Sequence, residues 1–158
     1  MTVQKLQQGI LVVVDDPGWR KARGLLPRLK HAAAAAEKAA RFRGASAFTI
    51  LLSKDSKLKS LNRDFRGRDK PTNVLSFPAA PNAEGYRGDI ALAFGVTRRE
   101  AKLAGKSLVD HAVHLVVHGV LHLAGHDHMT ARDARRMEPL ETRILARLGV
   151  SDPYEEQA

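Results

Sequence analysis

Short apolar runs alternate along the chain with longer segments in which apolar residues recur every three or four positions. The short runs are rich in β-branched residues and end at Asp or Pro, which is typical of buried strands. The longer segments have helical periodicity and carry capping or breaking residues at their ends. Four strands are predicted on this basis, at residues 10–14, 47–52, 74–77 and 89–94.

Five helical segments are predicted between and after the strands. They cover residues 19–43, 55–65, 97–104, 107–124 and 130–148, and the N-cap of the fourth is expected at Ser107 or Asp110. The first contains an alanine-rich run of strong helix formers and is expected to end at Gly44. For the second, Ser53 or Asp55 is the expected N-cap. The order of elements predicts one α/β (α+β) domain over residues 1–158, with a mixed sheet of about four strands packed by about five helices.

Composition narrows the class of protein. Apolar residues make up 44% of the chain, which is enough for a packed core, and there is no cysteine. Disulfides, thiolate zinc sites and cysteine nucleophiles are therefore excluded. No apolar run near the start is long enough for a signal peptide or a membrane helix, so we expect a soluble, cytoplasmic protein.

The net charge points to the kind of partner. Lys and Arg total 26 against 17 Asp and Glu, which gives a formal charge of +9. Such a balance favours a polyanion such as nucleic acid, although a basic protein with no polyanionic target stays an alternative. The charge says nothing about the reaction.

Six of the seven histidines lie between positions 111 and 128. His118 and His122 are four residues apart, so on a helix they lie one turn apart on the same face. Helices supply two ligands to a tetrahedral zinc ion with this spacing. The sequence therefore predicts a metal site on a long central helix, with these two histidines as ligands.

The third ligand is expected just beyond this helix, where Gly125 lets the chain turn back. In the extended zinc motif H-E-x-x-H-x-x-G-x-x-H, the third histidine follows the second by six residues. His128 has that offset from His122, whereas His126 does not. Three protein ligands leave a fourth position open, which is typical of catalytic zinc sites. One zinc ion per chain is predicted, although imidazole also suits nickel or copper.

The other polar residues of the cluster are expected to support the site. His111 and His114 continue the histidine face toward the N-terminus, and Asp127 is a candidate to orient a ligand imidazole. His126 is a candidate to line the cleft. Gly119 stands where zinc proteases with this motif carry the glutamate that acts as general base. Its presence disfavours peptide hydrolysis and favours a phosphodiester target.

A second charged stretch lies between the second helix and the third strand. Arg63, Arg66, Arg68 and Lys70 fall within eight positions, and hydroxyl and amide side chains follow them. Guanidinium groups bind phosphate in a bidentate manner and neutralise charge that builds up during displacement. Arg66, Arg68 and Lys70 are therefore candidate substrate-binding residues, provided that the loop lies beside the metal.

The segment 118–128, HGVLHLAGHDH, resembles the signature of the YbeY family of bacterial endoribonucleases, H-G-x-L-H-L-x-G-[YH]-D-H. The segment 69–78, DKPTNVLSFP, is similar to the family's other strong block. Phe65 and His126 stand where tyrosine is more usual, and the resemblance covers nearly the whole chain. The family's shorter motifs occur in the same order here, at Leu61-Asn62, Arg66-Gly67, Gly88-Asp89-Ile90, Met137-Glu138 with Glu141, and Asp152-Pro153-Tyr154.

The resemblance implies a compact α/β fold with one zinc ion at His118, His122 and His128, and Arg66 as the cleft arginine needed for activity. It implies a metal-dependent endoribonuclease that prefers single strands and acts in ribosomal RNA maturation, at the small subunit's 3′ end, and in ribosome quality control. The implied partners are single-stranded and ribosomal RNA, the small subunit and its assembly factors, without membrane or DNA. His118 and Arg66 are then the expected catalytic residues.

Two alternatives from other classes stay open. One is an RNA- or ribosome-binding assembly factor whose zinc is structural, which the basic charge fits equally well. The other is a zinc-dependent protease, which the histidine spacing favours and Gly119 disfavours. Within the nuclease hypothesis, the sequence identifies no general base. The attacking group also stays open, because attack by the ribose 2′-OH would leave cyclic phosphates, whereas attack by water would not.

Overall fold

A computed structural model of the chain describes residues 9–42, 46–125 and 131–151, and for residues 131–134 the backbone alone. Four strands, five α-helices and one 3-10 helix form this part of the protein. Strands β1 to β4 span Ile10–Val14, Ala47–Ser53, Val74–Pro78 and Tyr86–Ala93. Helices α1 to α5 span Leu25–Ala40, Asp55–Arg66, Phe94–Leu103, Leu108–Leu123 and Ala131–Arg147, and the 3-10 helix Pro17–Lys21 precedes α1.

The strands form one mixed sheet in the order β1-β2-β4-β3. β2 pairs in parallel with β1 and β4, whereas β3 pairs antiparallel with β4 and forms one edge. Side chains alternate between the two faces of a strand, so Ile90 and Leu92 of β4 pack on one face and Ala91 and Ala93 on the other. The predicted four-stranded mixed sheet with five helices is confirmed.

Helices cover both faces of the sheet. The larger core includes Phe48, Ile50 and Leu121 and joins one face to α1, α4 and α5. The smaller core lies under α2 on the other face, where Leu58 packs against Leu75. β3 is therefore an edge strand with α4 on one of its faces and α2 on the other.

Of the two N-caps expected for α4, Ser107 and Asp110, the structure has Ser107. The Ser107 hydroxyl accepts a hydrogen bond from the Asp110 backbone N–H at 3.0 Å, which satisfies one of the free donors of the first turn. Nine residues of α4 are buried, so the helix is apolar over most of its surface. Its one polar face consists of His111, His114, His118 and His122, which are partly exposed.

Helix α1 is shorter at both ends than predicted. Trp19 belongs to the 3-10 helix, which is separated from α1 by Gly24 in the left-handed conformation (φ 72°). At the other end α1 stops at Ala40, where Arg41 takes the left-handed cap conformation (φ 55°). The expected cap at Gly44 was therefore wrong for the helix end, and Gly44 itself lies outside the described residues.

The expected caps of α2 were also wrong. Its N-cap is Lys54, which makes no side-chain capping bond. Asp55 serves the next helix instead, because its carboxylate accepts a hydrogen bond from the Val96 N–H at 3.0 Å in the first turn of α3. A carboxylate there also faces the positive end of the α3 dipole.

Strand β4 and helix α3 each begin three residues earlier than predicted, at Tyr86 and Phe94. Within the described residues, no helix is both long and apolar enough to cross a membrane.

Candidate metal centre

The histidine face of α4 opens into a cleft of about 990 Å³ that runs along β3. Residues from α2, from the loop after it, from β3, from α3 and from α4 line this cleft. Of the residues singled out in the sequence, His114, His118, His122, Arg66, Arg68 and Lys70 line it. His126, Asp127 and His128 lie outside the described residues.

His118 and His122 converge as the helical spacing predicted. Their Nε2 atoms lie 3.0 Å apart, and both rings line the cleft. Two nitrogens that bind one tetrahedral zinc ion at the usual bond length lie about 3.3 Å apart. The two side chains are thus arranged so that one ion would fit between their ring nitrogens with a small adjustment.

Glu141 of α5 contacts two histidines of α4, His114 and His118, on the side away from the cleft. Its side chain is fully buried, and its two carboxylate oxygens lie 3.0 Å from His114 Nε2 and 3.0 Å from His118 Nδ1. A buried carboxylate that orients a histidine is the usual supporting arrangement of zinc sites. Sequence reasoning noted Glu141 only as part of the resemblance and gave it no role at the site.

A signal for Glu141 is nonetheless present in the sequence. Helix α5 has an apolar face at Met137, Ile144 and Leu145, all of them buried. Residue 141 falls on that same face, four residues after Met137 and four before Leu145. A glutamate in the middle of an apolar face must find partners inside the protein, and here they are the histidines of α4.

The charge on Glu141 determines that Nδ1 of His118 carries a proton. Burial on its own raises the pKa of Glu141, but the hydrogen bonds from His114 and His118 outweigh it and lower the pKa to about 2. An ionised carboxylate can only accept, so the proton of the His118 ring lies on Nδ1. In the neutral ring, the Nε2 atom then carries a lone pair and faces Nε2 of His122 at 3.0 Å.

His114 belongs to a second possible arrangement. The ligand atoms of His114, His118 and Glu141 all lie within 4.8 Å of one another, so these three residues could also hold a metal ion. His118 is common to this group and to the pair with His122. The expectation that His114 supports the site rather than binds the ion therefore stays a prediction.

A second histidine–carboxylate pair lies one turn further toward the N-terminus of α4. His111 Nε2 lies 2.9 Å from Glu100 Oε1 of α3, and the Asn73 amide donates to the same oxygen at 2.9 Å. Burial raises the pKa of Glu100, but these hydrogen bonds and the charge of His111 lower it overall. This pair joins α3, α4 and the start of β3 at the same cleft.

The basic stretch forms a folded arm, residues 66–70, at the C-terminal end of α2. Gly67 turns the chain in the left-handed conformation (φ 69°), and the Arg68 N–H donates to the Asn62 carbonyl at 3.2 Å. The buried Asn62 amide donates to the Lys70 carbonyl at 2.9 Å. Two hydrogen bonds to one residue of α2 thus fix the path of the arm.

The cations of this region differ in their partners. Arg63 lies 3.2 Å from Asp64 and 3.9 Å from Asp69, so its charge is compensated locally. Among the described residues, no carboxylate lies within 4.0 Å of the side chains of the other three, Arg66, Arg68 and Lys70. The three cations that line the cleft are the ones left available for an anion.

Gly119 allows α4 to approach the sheet closely. A Cβ atom at this position would lie 2.7 Å from Ile90 Cγ2 and 3.2 Å from the Ser76 hydroxyl, which itself donates to the Gly119 carbonyl at 3.2 Å. A side chain at 119 would therefore point into the sheet. The close contact brings the adjacent His118 beside β3, and no base of the zinc-protease kind is found at this position.

These features define an α/β protein with a candidate metal centre in a cationic cleft. Residues 21–149 match the family model described as endoribonuclease YbeY. Curated relatives named endoribonuclease YbeY include proteins of Maricaulis maris, 46% identical over 90% of this chain and 89% of that one, and of Chelativorans sp., 48% identical over 89% and 87%. This chain belongs to the endoribonuclease YbeY family.

A solved structure supports the fold independently. The solution structure of TM1509 from Thermotoga maritima matches with a TM-score of 0.61 and covers 94% of this chain and 91% of that one. Its sequence is 24% identical, so the likeness concerns the fold alone.

Proposed function

We propose that this protein is a metal-dependent endoribonuclease that cuts single-stranded segments of ribosomal RNA in the cytoplasm. Within this proposal one zinc ion is held by His118, His122 and His128, in a single domain over residues 1–158. The small-subunit 3′ end is the proposed target, with the small subunit and its assembly factors as partners and a role in ribosome quality control. Membership in a family whose relatives are named endoribonucleases supports the activity.

One observation carries the proposal. A pair of histidines with converging ring nitrogens and three cations without carboxylate partners line the same cleft. Both features suit a phosphodiester, because its charge must be neutralised while one of its bonds to phosphorus breaks. The peptide bond that a protease cleaves carries no such charge.

The residues of the cleft have separable tasks. Glu141 holds a proton of His118 on Nδ1, so that the opposite ring nitrogen, Nε2, is the one that would bind an ion. A divalent ion bound there would supply Lewis-acid polarisation of a phosphoryl oxygen. The Arg66 guanidinium binds the same phosphate and stabilises its developing charge, while Arg68 and Lys70 hold neighbouring phosphates. No residue is assigned as general base.

The test compares the wild type with His122→Ala and with His31→Ala as matched control. His31 is the one histidine outside the cluster, and it is exposed on α1. Metal content per chain and cleavage of a single-stranded RNA are measured for each, with and without chelator. We expect one zinc per chain in the wild type and the control, and loss of both metal and cleavage in His122→Ala.

Each other outcome points elsewhere. If His122→Ala keeps its metal whereas His114→Ala loses it, the ion is held by His114, His118 and Glu141 instead. Metal loss without any loss of cleavage would contradict the nuclease assignment and favour an assembly factor with structural zinc. Cleavage of casein by the wild type, but not of RNA, would favour the protease.

A further inference from the structure

An exposed aromatic ring lies at the C-terminal end of α2, next in the chain to a residue that lines the cleft. Within the described part of the chain two large apolar side chains are exposed, Phe65 with 69% and Leu103 with 89% of their surface accessible. Aromatic residues make up only 5% of the sequence, so a ring left in solvent is unusual here. Phe65 directly precedes Arg66, which lines the cleft.

The ring of Phe65 is held in place by the sheet. It contacts Phe77 of β3 with ring centroids 5.2 Å apart and an angle of 63° between the planes. Phe77 is itself partly buried against the smaller core, which includes Leu58 and Leu75. An edge contact of this kind fixes the orientation of a ring and still leaves much of its surface free.

Part of this position is explained by helix packing alone. Leu58, Leu61 and Phe65 follow one another at helical spacing and form the sheet-facing side of α2. Leu58 is fully buried, however, whereas Phe65 lies past the end of the covered surface and buries little of its ring. Packing alone therefore accounts for the direction of the side chain but not for an aromatic residue at this position.

We propose that Phe65 is a stacking platform for one unpaired nucleobase of the RNA substrate. Every base has an apolar face that stacks on an aromatic ring, and proteins that bind single strands combine such rings with a cationic groove. Here the groove is the cleft with Arg66, Arg68 and Lys70. The inference rests on the proposed function, because it presupposes RNA in that cleft.

Such a platform would favour single strands over duplexes. A base in a duplex is stacked on its neighbours and has no face available, whereas an unpaired base can be turned outward onto a side chain. With Arg66 next in the sequence, the base stacked on Phe65 would belong to a nucleotide close to the phosphate that Arg66 binds. The platform therefore positions the strand and takes no part in the chemical step.

Three substitutions at position 65 separate stacking from other effects. Binding is measured by fluorescence anisotropy with a nuclease-resistant 2′-O-methyl oligonucleotide on the zinc-loaded protein. Phe65→Ala and Phe65→Leu are expected to weaken binding about tenfold, the order that loss of one base–aromatic stack produces, and Phe65→Trp to bind at least as tightly as the wild type. Leu103→Ala, the other exposed apolar side chain, is expected to bind as the wild type does.

A second measurement locates the base. Oligonucleotides with a single abasic position are compared on the wild type and on Phe65→Ala. At one position the abasic substitution is expected to weaken wild-type binding about tenfold and to have no further effect on Phe65→Ala. In cleavage assays Phe65→Ala is expected to raise KM about tenfold and to leave kcat within twofold, since the ring would bind the strand away from the reacting bond.

Several outcomes would overturn the inference. The first is that Phe65→Ala and Leu103→Ala bind RNA equally well. The second is that Phe65→Leu binds as tightly as the wild type. The third is that Phe65→Ala weakens binding by the same factor for every abasic oligonucleotide. A fall in melting temperature shared by Phe65→Ala and Phe65→Leu, with binding restored only in Phe65→Trp, still supports stacking. If the wild type binds RNA through Phe65 but never cleaves it, the proposed function fails and the platform stands.

Discussion

Two walls of the cleft are built in different ways. On one side the fully buried Glu141 holds the rings of His114 and His118, which line the cleft. On the other side the cleft is lined by three exposed cations, Arg66, Arg68 and Lys70. The histidine wall, formed by His114, His118 and His122 with Glu141 behind it, is fixed by hydrogen bonds between α4 and α5. In the arm, residues 66–70, backbone bonds to α2 fix the chain and the cationic side chains are left without carboxylate partners.

The difference follows from what each wall must do. An ion accepts its ligands only within narrow limits of distance and direction, so the histidines need a rigid support. A polyanion is attracted over longer distances by exposed charge, and flexible cations adapt to its shape. Changes in the histidine wall should therefore alter stability and metal content, and changes in the arm should alter RNA binding and cleavage alone.

The largest effect is expected for Glu141→Gln, which removes the charge behind the histidine wall. The lowered pKa of Glu141, about 2, means that the fold favours its ionised form. The neutral amide should therefore lower the free energy of unfolding by about 3 kcal/mol. Zinc affinity should fall between about tenfold and about 100-fold, since an orienting partner of a ligand is lost.

Denaturant titration and competition with a chelator measure the two effects of Glu141→Gln. Glu138→Gln, a neutral replacement one turn away on the same helix, is the matched control and should change neither. A Glu141→Gln protein with wild-type stability and zinc affinity would show that the histidine wall does not depend on its buried charge.

The pH dependence sharpens the same comparison. Because the pKa of Glu141 is lower in the folded state than in the unfolded chain, its contribution is fully present above about pH 4.5 and is lost as the pH falls toward 2. The difference in unfolding free energy between wild type and Glu141→Gln should therefore shrink over that range. Chelator-treated proteins are compared, so that loss of metal does not add to the result, and a constant difference would contradict the assignment.

The sequence was most informative where one pattern determines one structure. The histidine spacing predicted that His118 and His122 face the same cleft, and the apolar runs predicted all four strands of the sheet. Both follow from local geometry, since a helix repeats every 3.6 residues and a strand every two. The sequence patterns therefore correctly placed one side of the site and its scaffold.

Contacts between distant segments were not predictable in the same way. Glu141 is 23 residues from His118, and its place on the apolar face of α5 predicts burial but not which partners it contacts. Asp55 looked like a cap for its own helix, yet its carboxylate serves α3, 41 residues away. Such partners depend on how the helices pack, and a single sequence constrains packing far less than periodicity.

The next prediction tests the arm at Arg66. Arg66→Ala is expected to lower kcat for RNA cleavage about 100-fold, the order observed when one donor to a developing negative charge is removed. Zinc content and melting temperature should stay as in the wild type, because the side chain is exposed and has no carboxylate partner among the described residues. Arg66→Lys should recover part of the rate, since it restores the charge but not the bidentate geometry.

Arg63→Ala is the control for Arg66→Ala. Arg63 lies on the same helix, and its replacement removes the same charge. The Arg63 side chain, however, is already paired with Asp64 and Asp69. Its effect on kcat should be within about twofold. Loss of zinc in Arg66→Ala would break the comparison, because the arm would then be part of the metal site.

The smallest effect is expected for the double variant Arg68→Ala, Lys70→Ala. Each cation that contacts a phosphate of a single strand contributes about −0.7 to the slope of log K against log salt concentration, so the slope should become less steep by about 1.4. The control is Lys30→Ala, Lys38→Ala, which removes two exposed charges from α1, a helix that contributes nothing to the cleft lining. If both double variants change the slope equally, RNA binding depends on the net charge of +9 and not on the position of the cations in the arm. The contrast between the two walls would then rest on Arg66 alone.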